Sequence, residues 1–178
     1  MNATQMIALL TGVVTALVAL TGYWVNQHQR RRERRADLFA SALEAMREYE
    51  QTPYLIQRRE GPDAATRARI SERLSADAAR RRYHETVLSL DSPVVAESYK
   101  HLLNRTRRQV GPYRSDAWKS PVIASDEEVA GSPTYAYDNE AEWELCLMAM
   151  RRELSAFASL RRRATRRRLA SLMASRIP

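Results

Sequence analysis

Polar and apolar positions divide this chain into a short apolar head and a long amphipathic body. Met6 to Val25 reads MIALLTGVVTALVALTGYWV, 20 residues without a charge and with only Thr as hydrogen-bonding aliphatics. As a helix this run is about 30 Å long, the thickness of a bilayer's hydrocarbon core. From Asn26 to Gln51 there is no Gly or Pro. Leu38, Phe39, Ala42, Leu43, Met46 and Tyr49 recur there at i, i+3, i+4, i+7, the stripe of an amphipathic helix. The pattern predicts one helix running from the apolar head into a stalk that ends at Thr52-Pro53, because the residue before Pro disfavours helix.

Three more helices are predicted. PYLIQRREGPD crosses over to the second, with Gly61-Pro62 as a break and Asp63 as its cap. That helix runs to Leu90 on a thin stripe of Ile70, Leu74, Ala78, Tyr83, Val87 and Leu90. Asp91 or Ser92 leads into a third, with Pro93 in its first turn. Val95, Tyr99, Leu102, Leu103 and Thr106 form its apolar face until Gly111-Pro112 stops it near Val110. Residues 111–137 read as one long irregular loop with three Pro. Either it is disordered, or Tyr113, Trp118, Tyr135 and Tyr137 pin it to the bundle. A short strand near Pro121 stays open. Asp138 or Asn139 caps the last helix, whose Trp143, Leu147, Met150, Leu154 and Phe157 make a seam at alternating four- and three-residue spacing. The fold class is therefore all-α: an N-terminal transmembrane helix (residues 1–25) continuing into an antiparallel bundle of about four helices (residues 26–178).

Charge turns this fold into an orientation. RRRERR at residues 30–35 carries +4, residues 151–178 carry +8, and residues 36–150 carry −4. Of 29 cations 27 are Arg, a bias that GC-rich coding also produces. No basic region precedes the apolar run and Ala19-Leu20-Thr21 is a poor cleavage site, so a retained span is expected rather than a cleaved signal. The positive-inside rule leaves Arg30, Arg31, Arg32, Arg34 and Arg35 on the cytoplasmic side of the inner membrane, with the N-terminus outside. Tyr23 and Trp24 are expected as interfacial anchors. Cys146, the single cysteine, agrees with a reducing compartment.

Helices stacked in alternating directions would return the last one to the bilayer. Arg161, Arg162, Arg163, Arg166, Arg167 and Arg168, in the basic end 158–178, would then meet the same anionic leaflet. Each surface-near cation is worth roughly 1 kcal/mol there. Leu169, Leu172, Met173 and Ile177 follow as a modest apolar face. Within the span, Ala8, Gly12 and Ala16 recur every four residues with Thr11 and Thr15 beside them. Small residues so spaced allow close helix–helix approach and self-association.

No catalytic constellation is evident. His84-Glu85 lacks the second His of a zinc-protease helix. His28 reads as a headgroup neighbour at the membrane boundary, His84 and His101 as surface histidines, and Cys146 as a buried inert thiol. Arg80–Arg82 ahead of His84 is similar to the Arg and His pair of helical RNases of the HEPN type. The spacing departs from that family's, so no activity is carried over. There is no Gly-rich phosphate loop, no C-x-x-C, no metal-ligand set and no cofactor motif. Asp126-Glu127-Glu128 reads as a solvated loop. The expected function is that of a membrane-anchored, non-enzymatic scaffold or partner-binding module contacting anionic lipid and a protein partner or a second copy. The second reading is a membrane-tethered nucleic-acid binder using the Arg-rich last helix, though no aromatic lies among those Arg to stack on bases. A membrane-associated nuclease-like effector is third.

Overall fold

A computed structural model describes residues 3–123 and 134–155, with side chains at residue 12 and from residue 14 onward. The described residues are all-helical and contain no strand. Among the described residues, five helices follow one another: α1 (Ala3–Glu50), α2 (Thr52–Gln57), α3 (Ala64–Asp91), α4 (Pro93–Lys119) and α5 (Glu140–Glu153). The chain divides into two compact units, residues 1–38 and 39–178.

The first unit is the N-terminal part of α1. Its backbone is helical from Ala3, continuous through Gly12 and Gly22 into the stalk as expected. Among the described residues, no helix is long and apolar enough to cross a membrane. The side chains of residues 1–11 and 13, which include much of the expected span, lie outside that description. The transmembrane helix is therefore not established by the structure.

The second unit is a helical bundle. The α1 segment buries Phe39, Ala42, Ala45, Met46 and Tyr49, the expected stripe with Ala45 added and with Leu38 and Leu43 only half-buried. Its end departs from expectation. PYLIQ is helical rather than a simple crossover. Pro53 occupies the first turn of α2, where no N–H is required. The Thr52 hydroxyl donates to the Tyr49 carbonyl at 2.8 Å, closing the gap between α1 and α2.

The cap predicted at Asp63 is present, and Ser92, predicted only to lead into the next helix, caps that helix as well. The Asp63 carboxylate accepts from the Thr66 N–H at 2.8 Å at the start of α3. The Ser92 hydroxyl accepts from the Val95 N–H at 3.5 Å at the start of α4. With only Ser92 between them, α3 and α4 form an antiparallel hairpin. Ile70 and Leu74 near the start of α3 pack with Ala117 near the end of α4. The face of α4 is as predicted: Val95, Tyr99, Leu102, Leu103 and Thr106 are buried.

Helix α4 does not stop at Gly111-Pro112 but continues to Lys119 with Pro112 inside it. Pro112 forfeits one backbone bond, yet Gly111 before it has no Cβ to clash with the proline ring. The extra turns place Tyr113, Ala117 and Trp118 against Ile56 of α2. The irregular loop is shorter than expected, and its residues 124–133 lie outside the described ones. Its return strand of sequence is pinned. Tyr54, Tyr113, Tyr135 and Tyr137 cluster, with ring centroids 4.8 Å apart for Tyr54 and Tyr135, and 5.1 and 5.6 Å from Tyr113 to Tyr135 and Tyr137.

Helix α5 buries Trp143, Cys146, Ala149, Met150 and Glu153. The predicted seam is thus displaced: Leu147 and Leu154 are only half-buried, while small Cys146 and Ala149 let α5 approach α4. Phe157 and the helix predicted as far as Ser175 lie outside the described residues.

Candidate functional site

The predicted site residues fall mainly in the first unit, and α1 presents them outward. Gly12 and Ala16 are exposed, and nothing lies within 4 Å of a Cβ built on Gly12. The side chain of Ala8 is outside the described residues. Val14, Leu17, Val18, Leu20, Tyr23, Trp24 and Val25 are each 43–68% exposed. Seven large apolar side chains on successive turns of one helix cover more than one face. Such a surface is stable only against another apolar phase or partner. Trp24 stacks on His28, the rings 5.5 Å apart and 16° from parallel. Arg30, Arg31, Arg32 and Arg34 are exposed and Arg35 is half-buried. Arg161, Arg162, Arg163, Arg166, Arg167 and Arg168 lie outside the described residues, so their expected return to the membrane is not addressed by the structure.

The second unit holds two polar clusters that the sequence reading did not identify. The first is centred on Glu50, the last residue of α1 and 3% exposed. Its Oε1 accepts from Asn139 Nδ2 at 2.7 Å and from the Trp143 indole N–H at 2.9 Å. Its Oε2 accepts from Arg47 at 3.1 Å. The backbone carbonyl of Glu50 accepts from the Tyr137 hydroxyl at 2.6 Å. Burial and the neighbouring Glu50 charge push the Tyr137 phenol above its ordinary value. Asn139 Nδ2 also donates to the Thr106 hydroxyl at 2.9 Å. The Arg47 guanidinium lies 4.1 Å from the centroid of the Trp143 ring. A carboxylate at a helix C-terminus opposes the helix dipole, and these donors compensate it. The cluster joins α1, α4, α5 and the segment before α5, and its role is to hold the bundle together. Asn139 was predicted as a helix cap but makes no side-chain cap bond, because its amide is turned inward to Glu50.

The second cluster lies on α3. The expected stripe Tyr83–Val87–Leu90 is not the buried face: Tyr83 and Leu90 are 62% and 82% exposed. The buried face is Thr66, Ile70, Leu74, Arg81, His84 and Leu88, which continues the helical period one position out of register with the apolar residues. His84 is thus buried, contrary to expectation, whereas His101 is exposed as expected. Arg81 stacks its guanidinium 3.9 Å from the centroid of the Tyr49 ring, which explains how a cation is accommodated there. Arg80, beside it, forms an ion pair with Glu48 of α1. Burial holds the Arg81 guanidinium below its ordinary value. Burial, followed by the Arg80 charge, lowers His84. The Tyr99 hydroxyl, fully buried on α4, is pushed up by burial. Arg81 Nη1, His84 Nδ1 and the Tyr99 hydroxyl are buried without a hydrogen-bond partner. Continuing the Ile70–Leu74 period to positions 81 and 84 would have revealed this face, had polar residues been admitted to it.

Cys146 is fully buried, and burial pushes its thiol up to about 11. It is the inert thiol expected. Among the described residues, no group of three or more His, Cys, Asp or Glu is placed to hold a metal ion.

No protein-family model matches the chain, and no curated protein or solved structure shows significant similarity to it.

Proposed function

We propose that this protein is a single-pass, membrane-anchored helical scaffold that presents its bundle to a protein partner and carries out no catalysis itself. The observation that carries this reading is the outward apolar surface of α1 from Val14 to Val25. Lipid is the phase that accepts apolar side chains on several faces of a helix while its backbone bonds stay satisfied within the helix. The uncharged sequence from Met6 onward extends this surface to bilayer length. Tyr23 and Trp24 sit at the headgroup level in this reading, and Arg30 to Arg35 lie against the anionic inner leaflet, with the bundle in the cytoplasm. Arg161–Arg163 and Arg166–Arg168 supply a second leaflet contact. Ala8, Gly12 and Ala16 form the face on which two spans associate.

Carbonate extraction of membranes carrying the full chain tests the anchor, and external protease on spheroplasts tests the orientation. The chain is expected to resist carbonate and its bundle to resist protease. Release by carbonate overturns the anchor, and removal of the bundle from outside overturns the orientation. The clustering of six Arg in eight residues favours a second reading, membrane-tethered binding of nucleic acid. In that reading DNA is retained in a salt-dependent way and lost when Arg161–Arg168 become Ala.

A further inference from the structure

Residues 14–34 of α1 are exposed on every side, but the sides differ. Thr15, Val18, Gly22, Val25, Gln29 and Arg32 recur at alternating three- and four-residue spacing, the seam of two helices wound around each other. Ala8 and Thr11 carry the same spacing toward the N-terminus in the sequence. The bulky residues Leu17, Leu20, Tyr23 and Trp24 fall off this seam. We infer that α1 pairs with α1 of a second copy, parallel and in register, along Thr15, Val18, Gly22, Val25 and Gln29, with His28 of each copy bonded to Glu33 of the other. The inference rests on the membrane-anchored reading. It keeps Ala8 and Gly12 at or beside the contact and sets Ala16 outside it.

The shape of the seam suits a copy of itself. A Cβ built on Gly22 meets nothing within 4 Å, and a shallow groove opens there between Val18, Thr21, Val25, Asn26 and Gln29. In a parallel pair each seam residue enters a gap among the seam residues of the facing helix. Val18 and Val25 of one copy therefore border the gap that Gly22 leaves in the other. Close approach of helices in lipid uses such small positions, while the large apolar side chains on the remaining faces suit lipid itself.

Polar groups narrow the choice of partner. Asn26 and Gln29 are exposed, and their amides have no hydrogen-bond partner among the described residues. An amide both donates and accepts, so the same amide on a second copy satisfies Gln29 in both roles. One polar residue on an otherwise uncharged seam also fixes register. Thr21 makes no such demand, because its hydroxyl donates to the Leu17 carbonyl at 2.6 Å within its own helix.

Charge complementarity selects the same partner. Glu33 is the single acid of RRRERR. It is exposed and forms no ion pair with any described residue. Glu33 flanks the seam on one side and His28 on the other, positions that meet between the two helices of a parallel pair. An imidazole N–H donates to a carboxylate, so two such bonds form, one on each side of the pair. The Trp24 ring, 5.5 Å from that of His28 and 16° from parallel, holds the imidazole in place. Arg32, the next seam residue, faces its own counterpart, and Glu33 of the other copy beside it offsets that repulsion. The same arginines orient both spans, so the pair is parallel.

Cysteine crosslinking of the full chain in its membranes tests the seam. Single Cys substitutions across residues 12–29 are oxidised with copper phenanthroline, and the parent, whose free thiol is the buried Cys146, is the blank. Disulfide-linked dimer is expected to peak at Thr15, Val18, Gly22, Val25 and Gln29 and to fall at Ala16, Leu20, Tyr23 and Gln27. Peaks at Gly12, Ala16 and Leu20 instead, or an even yield along the helix, would overturn the seam. Glu33→Lys is expected to weaken the dimer about tenfold in analytical ultracentrifugation in detergent, and adding His28→Glu to restore it. Failure of the double variant to recover would overturn the His28–Glu33 contact. Carbonate extraction of the same membranes separates the two readings. A chain that is retained but gives no crosslink overturns the pairing alone, whereas release by carbonate overturns the anchor on which the pairing rests.

Discussion

Glu50 and Asn139, 89 residues apart, meet through a 2.7 Å hydrogen bond in the interior of the bundle. Through that contact the end of α1 is tied to the start of α5.

Replacing Glu50 separates the two parts of its role. Glu50→Ala leaves the Asn139 amide and the Trp143 indole N–H buried without their acceptor, and is expected to cost about 3 kcal/mol or more. Glu50→Gln keeps one acceptor oxygen for both and gives up only the pairing with Arg47, whose side chain is 66% exposed. About 1 kcal/mol is expected for it. Chemical denaturation followed by tryptophan fluorescence measures both. Equal losses for the two variants would contradict the hydrogen-bonding account.

Arg59 is a second buried tie. Its Nη1 donates to the carbonyls of Ile56 at 3.1 Å and Ala117 at 3.0 Å, and its Nη2 to Ser120 at 2.7 Å. A forked cation on the last carbonyls of α4 complements the helix terminus. Arg59→Met is expected to cost about 2–3 kcal/mol. Arg59→Lys should recover less than half of this, since an ammonium cannot span the three carbonyls. Full rescue by Lys in a melting experiment would show that charge alone matters.

His84 makes stability depend on pH. Its folded value lies below the ordinary 6.5 because burial, and then Arg80, penalise the imidazolium. The unfolded chain therefore binds the proton more readily than the folded one. Stability from this group is full above 6.5 and is lost as the pH falls through the folded value. His84→Gln should flatten the profile in that window. A parent and variant with parallel profiles between pH 7 and 5 would remove His84 as the cause.

Cys146 is expected to be slow toward thiol reagents. A shift from 9.0 to about 11 lowers the thiolate fraction at neutral pH about a hundredfold. Burial further requires the bundle to open before the reagent arrives. Labelling with a chromogenic disulfide should be slow in the folded chain and immediate in denaturant. Rapid labelling of the folded chain would show that α5 is not closed over α4.

Much of the bundle is legible in the sequence where side-chain chemistry and local backbone agree. Asp63 caps the helix it precedes, and Val95 to Thr106 show an undivided apolar face. The misreadings have separate physical causes. Helix α2 spans six residues, fewer than two turns, and no periodicity can be established over that length. Helix α4 passes Pro112 because contacts of Tyr113, Ala117 and Trp118 with distant residues outweigh one lost backbone bond. On α3 a search for apolar residues selects Tyr83 and Leu90, whereas packing selects Arg81 and His84, since Tyr49 provides a ring for the cation. Glu50 gives no local signal at all. Apart from Arg47 one turn before it, its side-chain partners come from residues 139 and 143, far along the chain.

The Glu50–Asn139 link also sets an order of assembly during synthesis. The end of α1 emerges from the ribosome long before residue 139, and until then its carboxylate has no amide or indole to receive. Burying it early would strand a charge, so this end of α1 stays hydrated while α3 and α4 pair locally across Ser92. The Glu50 network is complete only once α5 is in place, with Asn139 and Trp143 as its donors. A chain truncated before that point leaves the Glu50 carboxylate without its amide and indole donors.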